Sequence, residues 1–243
     1  MIDIKNNLSM IRERADAAAK RAGRSGSDIL LVAVTKTRSC EEIARAIRAG
    51  VTDVGENKVQ EITEKFDKVG KFAELDGKGA HVRWHMIGHL QRNKVKYIVD
   101  KTDIIHSVDS VGLAEEIDKR AAARGRTMDV LVQVNAAGEE SKFGVSTEGA
   151  KPLIDAIVER CPAVRVKGLM SIAPAAEDPE DVRRYFREVK ELYDLIARDA
   201  DGERLSAEYL SMGMTHDFEV AIEEGSNLIR VGTGIFGARD YGK

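Results

Sequence analysis

The sequence comprises 243 residues, 43% of them hydrophobic, and its 38 basic and 41 acidic residues give a formal net charge of −3. The two signs are interspersed, so the chain has neither a basic stripe for nucleic acid nor an apolar run of about 20 residues for a membrane span. Cys40 and Cys161 lie far apart without metal-ligand spacing. They exclude a disulfide scaffold and predict reduced thiols in a cytoplasmic protein.

The N-terminal stretch, residues 1–24, predicts an amphipathic helix. Its apolar residues recur at helical spacing, as in Ile4, Leu8 and Ile11. Acidic residues interrupt its basic ones, which argues against an organelle-targeting segment. We expect this helix to pack on the domain ahead of the first strand.

Eight short β-like runs follow, at residues 30–36, 53–57, 84–88, 104–109, 129–135, 166–172, 209–214 and 228–236. Helical stretches lie between them. Strands that alternate with helices pair in parallel through right-handed crossovers, and eight such units in one chain of this length match a closed (β/α)8 TIM barrel. The sequence therefore predicts a single α/β barrel domain over residues 1–243, with an open doubly wound sheet as the structural alternative.

Several helix boundaries can be read from local signals. Ser39 and Glu42 form a capping box, Asp178-Pro179 opens a long helix, and a helix from about Asp217 ends before Gly225. The polar, glycine-containing segment 70–79 predicts a mobile surface loop.

Polar residues collect at the predicted C-terminal ends of the strands, where barrel active sites lie. Lys36 closes the apolar run 30–36, and an amine at a buried strand end is costly unless it has a chemical role. A Schiff base is the first candidate role; an ordinary lysine whose head reaches water is the alternative. Ser211, Gly232 and Thr233 follow strands 7 and 8, where such barrels frequently bind phosphate, although Gly232 could simply form a tight turn.

Two motifs in the sequence are judged misleading. Residues 232–237 match the dinucleotide pattern G-x-G-x-x-G, but only six residues follow, too few for the helix and strand that the pattern requires. His81, His85 and His89 are spaced for one helix face, yet residues 84–88 read as a strand. We expect no metal site, and we expect His85 to be packed or hydrogen-bonded near the rim.

A series of ordered motifs makes the chain resemble a known family, the pyridoxal phosphate homeostasis proteins, which share the fold of the barrel domain of alanine racemase. The motifs are LVAVTK (31–36), GEN (55–57), WHMIGHLQ (84–91) with NK (93–94), SKFG (141–144), GLM (168–170), SMGM (211–214) and RVGTGIFGAR (230–239). The resemblance runs nearly end to end. Thr35 and the segment 216–218, at the predicted start of the helix after strand 7, depart from the usual family pattern.

The resemblance implies that Lys36 holds pyridoxal 5′-phosphate (PLP) as a Schiff base. Arg230 would face the pyridine nitrogen and keep it unprotonated, which weakens the ring as an electron sink. Ser211, Gly232 and Thr233 would bind the phosphate. The ring pocket would be lined by Asn57, Met170 and Ser171.

The resemblance implies a carrier and regulator of PLP rather than an enzyme. The chain lacks the second domain of alanine racemase, which supplies the tyrosine that works opposite the lysine, and inversion without a second acid/base is hard to explain. A PLP-dependent amino-acid racemase is the alternative, and a barrel enzyme for a phosphorylated metabolite without pyridoxal is a third possibility. PLP-dependent apoenzymes are candidate partners, and we expect a monomer.

Overall fold

The computed structural model describes residues 2–75, 82–139 and 142–238. Eight parallel strands close into one barrel in sequential order, and the last strand pairs with the first. The strands are β1 (Leu30–Val34), β2 (Asp53–Glu56), β3 (Arg83–Met86), β4 (Ile104–Val108), β5 (Met128–Val134), β6 (Val164–Ser171), β7 (Leu205–Ser211) and β8 (Leu228–Val231). The predicted (β/α)8 barrel is confirmed.

Helices surround this barrel, and 3-10 turns supplement them. They are α1 (Ile4–Arg21), α2 (Cys40–Arg48), α3 (Val59–Leu75), α4 (Val111–Ala122), α5 (Thr147–Arg160), α6 (Arg183–Arg198), α7 (Phe218–Glu223) and α8 (Thr233–Phe236). The capping box predicted for α2 is present, with Ser39 and Glu42 bonded reciprocally to each other's backbone. Pro179 opens a 3-10 turn that leads into α6, so the regular helix starts four residues later than the proline.

The N-terminal helix α1 packs on the barrel as predicted. Its apolar face is buried, and Asn7 Nδ2 donates to the Ile235 carbonyl in α8 at 3.0 Å. Arg14 and Arg21 bridge to Glu219 and Glu223 of α7. Helix α1 is therefore anchored on the two helices that follow β7 and β8.

The strands divide their side chains between two environments. Residues that point outward from the barrel, such as Val54, Trp84 and Ile105, pack with the helices into one large apolar core. The alternate, inward residues include a small apolar cluster of Ile104, Leu131 and Met170, and a set of buried polar groups. The barrel interior is thus partly polar, which bears on the site described below.

Several sequence predictions are wrong in their boundaries, and two of them also assign the wrong type of element. The strand predicted over 228–236 ends at Val231, and residues 233–236 form α8, whose Ile235 and Phe236 are fully buried. A short apolar run does not distinguish a strand from a buried helical turn. The loop predicted over 70–79 is wrong for residues 70–75, which continue α3. The buried Val69 and the half-buried Phe72 extend the apolar spacing of this helix across Gly70. Residues 76–79 lie outside the described part.

Within the described residues, no helix combines the length and apolarity needed to cross a bilayer. The same residues contain no group of three or more histidine, cysteine or acidic side chains arranged to hold a metal ion.

Candidate functional site

Lys36 lies in the turn after β1, half-buried, at the C-terminal end of the barrel. The strand ends at Val34, two residues earlier than predicted. The Lys36 side chain lines a cavity of about 260 Å³, comparable with the smaller ligand pockets of about 300 Å³. Val34 and Arg38 line the same cavity, so the segment after β1 forms one of its walls.

A buried polar cluster holds this turn in place. Glu56 Oε1 accepts from the Thr35 hydroxyl at 2.7 Å and from Lys65 Nζ at 2.8 Å. Glu61 Oε2 accepts from Lys65 at 2.7 Å and from the Thr37 amide at 2.6 Å. Thr37 has φ of +65°, a left-handed conformation that a β-branched residue adopts only under constraint. The cluster therefore supplies the constraint that shapes the turn carrying Lys36.

Glu56 has an unusual environment within this cluster. It is fully buried, and its Oε2 has no hydrogen-bond partner among the described residues. Burial raises the pKa of Glu56, against the lowering effect of the bonds from Lys65 and Thr35. The pair with Lys65 is what allows this carboxylate to lie beneath the turn.

Arg230 projects from β8 into the same cavity from below. One of its terminal nitrogens donates to Ser211 Oγ at 2.6 Å and the other to the Ser171 carbonyl at 2.9 Å. Burial lowers the pKa of Arg230 to about 10, so the guanidinium stays charged at neutral pH. Both hydrogen-bond partners are neutral, and the charge of the Asp217 carboxylate raises the pKa of the guanidinium against the effect of burial.

The upper wall of the cavity is built after β7 and β8. Gly232 and Thr233 line it, together with Thr215. The Thr215 hydroxyl lies 3.1 Å from that of Thr233 and accepts from the Gly234 amide at 3.2 Å. The Asp217 carboxylate accepts from the Met214 amide at 2.6 Å, which shapes the loop before α7. Hydroxyl and amide groups on converging loops suit a phosphate.

Four predicted site residues do not line this cavity. Ser211 is fully buried, and its hydroxyl contacts Arg230 and His106 instead of the phosphate loops. Ser171 Oγ donates to the Val134 carbonyl at 2.9 Å, and Met170 lies in the interior apolar cluster. Asn57 occupies the bend after β2, with its Oδ1 buried and unpartnered among the described residues.

Sequence reasoning missed other residues of the cavity wall: Val34, Arg38, Met214, Thr215 and His216. Most of them could have been found because they lie close in sequence to predicted site residues. Arg38 follows Lys36 by two residues, and Thr215 follows the SMGM motif. Arg38 is held by the Gly237 carbonyl, to which it donates at 2.6 Å, and this contact depends on the chain's last described turn. No local pattern would have indicated it.

The cavity has the charge and donors that PLP requires. Its described lining contains the cations Lys36, Arg38 and Arg230 and no carboxylate. An amine suits an aldehyde, a guanidinium suits a pyridine nitrogen, and the hydroxyls of Thr215 and Thr233 suit a phosphate. The residues present therefore fit this cofactor.

The histidines judged misleading have separate environments. His85 is buried inside the barrel, bonded to Asp53 and His106, so hydrogen bonding is confirmed but its position is deeper than the rim. His89 stacks on Phe143 with ring centroids 3.7 Å apart. His81 lies outside the described residues.

Comparisons with known proteins agree with this arrangement. The model of the family described as alanine racemase, N-terminal domain, matches residues 6–240. Among similar proteins, the pyridoxal phosphate homeostasis protein of Aquifex aeolicus is 45% identical over 96% of this chain and 97% of its own. That of Escherichia coli K12 is 40% identical over 100% of both chains. The structure of PipY from Synechococcus elongatus with PLP bound is 31% identical, with a TM-score of 0.79 over 97% of this chain and 100% of that one.

Proposed function

The chain belongs to the pyridoxal phosphate homeostasis protein family, and its barrel matches the family model described as alanine racemase, N-terminal domain; we propose that it binds PLP and acts in PLP homeostasis as a carrier and regulator. The observation that carries the proposal is the convergence of Lys36, Arg230 and Thr233 on one cavity at the C-terminal end of the barrel. The likeness to PipY, whose structure has PLP bound, supports the same cofactor.

Lys36 is the proposed attachment point. Its amine would hold the cofactor aldehyde through a carbon–nitrogen double bond, formed with loss of one water molecule. Exchange with another amine would free the lysine and release the cofactor as the imine of that amine. The three cations around the cavity attract the phosphorylated aldehyde, and the buried cluster beneath the turn limits the movement of Lys36. A reversible link inside a cationic cavity stores a reactive aldehyde and allows its release.

The lining favours storage over turnover. A bound PLP ring supplies an electron sink for reactions at an amino-acid α-carbon, and an arginine at its nitrogen weakens that sink. Among the described residues, no tyrosine lines the cavity, so the tyrosine of the racemase kind has no counterpart there. His216 does line it, but its Nε2 lies 3.0 Å from the Glu177 carbonyl. We therefore propose that the protein has no efficient catalytic activity.

The wider role follows from the same proposal. PLP-dependent apoenzymes are the candidate recipients of the cofactor. We propose a cytoplasmic role, and the free thiols of Cys40 and Cys161 support it, because thiols stay reduced in that compartment. We expect a monomer in solution, which light scattering of the purified protein would check.

The test is a titration of purified protein with PLP, followed by its absorption spectrum. Wild-type protein is expected to develop the Schiff-base band, Lys36→Ala to lose it, and Lys68→Ala, altered at an exposed position of α3, to keep it. A colourless wild-type protein would instead favour the phosphorylated-metabolite barrel. Amino-acid racemisation above that of free PLP, and lost in Lys36→Ala, would favour the racemase.

A further inference from the structure

A continuous line of buried polar side chains crosses the barrel beneath the cavity. Ser211 Oγ, which accepts from Arg230, lies 3.1 Å from His106 Nδ1. His106 Nε2 lies 2.8 Å from His85 Nδ1, and His85 Nε2 lies 2.8 Å from Asp53 Oδ1. All five residues are at most 4% exposed. The line joins β8, β7, β4, β3 and β2.

The donors and acceptors available on these side chains determine which way each hydrogen in the line points. Arg230 can only donate, so Ser211 Oγ accepts from it and its own hydrogen needs an acceptor. His106 Nδ1 is the acceptor within reach, which places the His106 proton on Nε2. That proton points to His85 Nδ1, and the His85 proton then lies on Nε2 and points to Asp53. Every hydrogen has an acceptor in this arrangement.

Reversing the hydrogen bonds along the line would leave a buried donor unsatisfied. If His106 donated from Nδ1 to Ser211, the serine oxygen would accept from both His106 and Arg230. Its own hydrogen would then have no acceptor among the described contacts. An unsatisfied buried donor is costly. Burial, together with the charge of Arg230, holds the pKa of His106 well below its usual range, which agrees with a neutral ring.

Asp53 terminates the line as a carboxylate. Although burial raises its pKa, the bonds from His85 and Thr52 and the charge of Arg83 lower it overall. Arg83 Nε lies 2.7 Å from Asp53 Oδ1, and the Thr52 hydroxyl donates to Oδ2 at 2.7 Å. The Arg83 side chain is 39% exposed, so the line reaches the solvent at the N-terminal end of the barrel. One end of the line is thus a fixed anion and the other is the cation beneath the cavity.

We propose that Ser211, His106, His85 and Asp53 form a positioning relay that holds the Arg230 guanidinium in register with the ring nitrogen of bound PLP. The relay fixes the serine hydroxyl so that its oxygen, not its hydrogen, faces Arg230. The remaining guanidinium donors are then aimed at the cavity. This inference rests on the proposed function, because the group that Arg230 faces is the cofactor ring. It also gives Ser211 a role other than the predicted phosphate contact.

The first test reads the proton positions directly. Nitrogen-15 NMR of histidine-labelled wild-type protein, with and without PLP, distinguishes the two neutral tautomers and the charged ring. We expect both His85 and His106 to be neutral with the proton on Nε2. A proton on Nδ1 of either ring, or a charged ring, would overturn the directional relay. This measurement needs no variant, so it cannot be lost to misfolding.

The second test reads the effect on the cofactor. His106→Leu removes both the acceptor and the donor, and we expect PLP affinity to fall roughly tenfold, with a shifted absorption band for the bound cofactor. His106→Gln keeps an acceptor and a donor and should recover most of both properties. His89→Gln, at an exposed position outside the relay, should match wild type.

The outcomes separate the relay from the proposed function. Wild-type protein that takes up no PLP contradicts the function itself. Wild-type protein that binds PLP, beside a folded His106→Leu with the same affinity and the same band, contradicts the relay alone. If His106→Leu does not fold, the test of the relay is His106→Gln, which keeps one hydrogen-bond acceptor and one donor. A His106→Gln protein that folds but binds PLP as poorly as Lys36→Ala would overturn the relay.

Discussion

The buried ion pair beneath the Lys36 turn gives the sharpest stability prediction. Lys65→Met removes the ammonium that lies 2.8 Å from Glu56 Oε1 and 2.7 Å from Glu61 Oε2, and that donates to the Thr35 carbonyl at 2.9 Å. Methionine fills a similar volume without a charge. Glu56 is then left as a buried carboxylate with one remaining donor, the Thr35 hydroxyl.

The cost follows from the geometry. At 2.8 Å and an effective dielectric of about 20, the gross attraction between Lys65 and Glu56 is about 6 kcal/mol, part of which offsets the desolvation of both groups. Removing one partner of such a pair costs about 3–5 kcal/mol, because the other charge stays buried and uncompensated. We expect Lys65→Met to lose that much free energy of unfolding.

The loss should depend on pH in a defined direction. Burial already raises the pKa of Glu56 above its usual value, and loss of the lysine raises it further. A carboxyl whose pKa is raised by folding contributes stability below its unfolded pKa and loses that contribution as the pH rises through its folded pKa. The variant should therefore be closer to wild type at pH 5 than at pH 8.

Urea unfolding of the cofactor-free protein at both pH values measures these differences. The control Lys68→Met changes an exposed lysine of the same helix and should stay within about 0.5 kcal/mol of wild type. The double variant Glu56→Gln/Lys65→Met should regain much of the loss, since the fully buried position 56 then carries no charge. A loss below about 1 kcal/mol for Lys65→Met at pH 8 would refute this reasoning.

Three other buried positions yield predictions that an unfolding curve can check. Gly168→Ala should lower the free energy of unfolding by at least ~3 kcal/mol, because its φ is +137° and a Cβ there would lie 1.9 Å from the Tyr209 carbonyl oxygen. The control Gly202→Ala, with φ of +78° and open space around it, should lower it by only about 1 kcal/mol. Ser226→Ala should cost about 1–2 kcal/mol, since its buried hydroxyl lies within 3.1 Å of three carbonyl oxygens and so connects the end of β7 to the start of β8. Phe186→Ala, at 1% exposure, should cost about 3–5 kcal/mol through the cavity it leaves. Equal losses for the two glycine variants, or losses near zero for the other two, would contradict the packing described here.

Local patterns in the sequence accounted for the barrel but not for its polar interior. Eight apolar runs separated by helix signals fix the order of strands, and Ser39 and Glu42 mark a helix start within one turn of chain. By contrast, the contact between His106 and Ser211 joins residues 105 apart and exists only after the barrel closes. The contacts of the Ser211 hydroxyl depend on that closure, and no local pattern around Ser211 indicates them.

Part of the cavity lining could also be predicted, from the positions of residues along the predicted strands. Lys36, Arg230, Gly232 and Thr233 lie at strand ends, and the barrel rule that gathers strand ends was enough to bring them together. Arg38 required a different kind of information. It reaches the cavity because Gly237, about 200 residues later, accepts its hydrogen bond.

Borohydride reduction of the PLP-loaded protein tests the central claim most directly. Reduction converts a Schiff base into a stable secondary amine, and mass spectrometry of the digested protein then identifies the modified lysine. We predict a single phosphopyridoxyl adduct on the peptide that contains Lys36. An adduct on another lysine, or bound PLP that leaves no adduct after reduction, would contradict Lys36 as the attachment point.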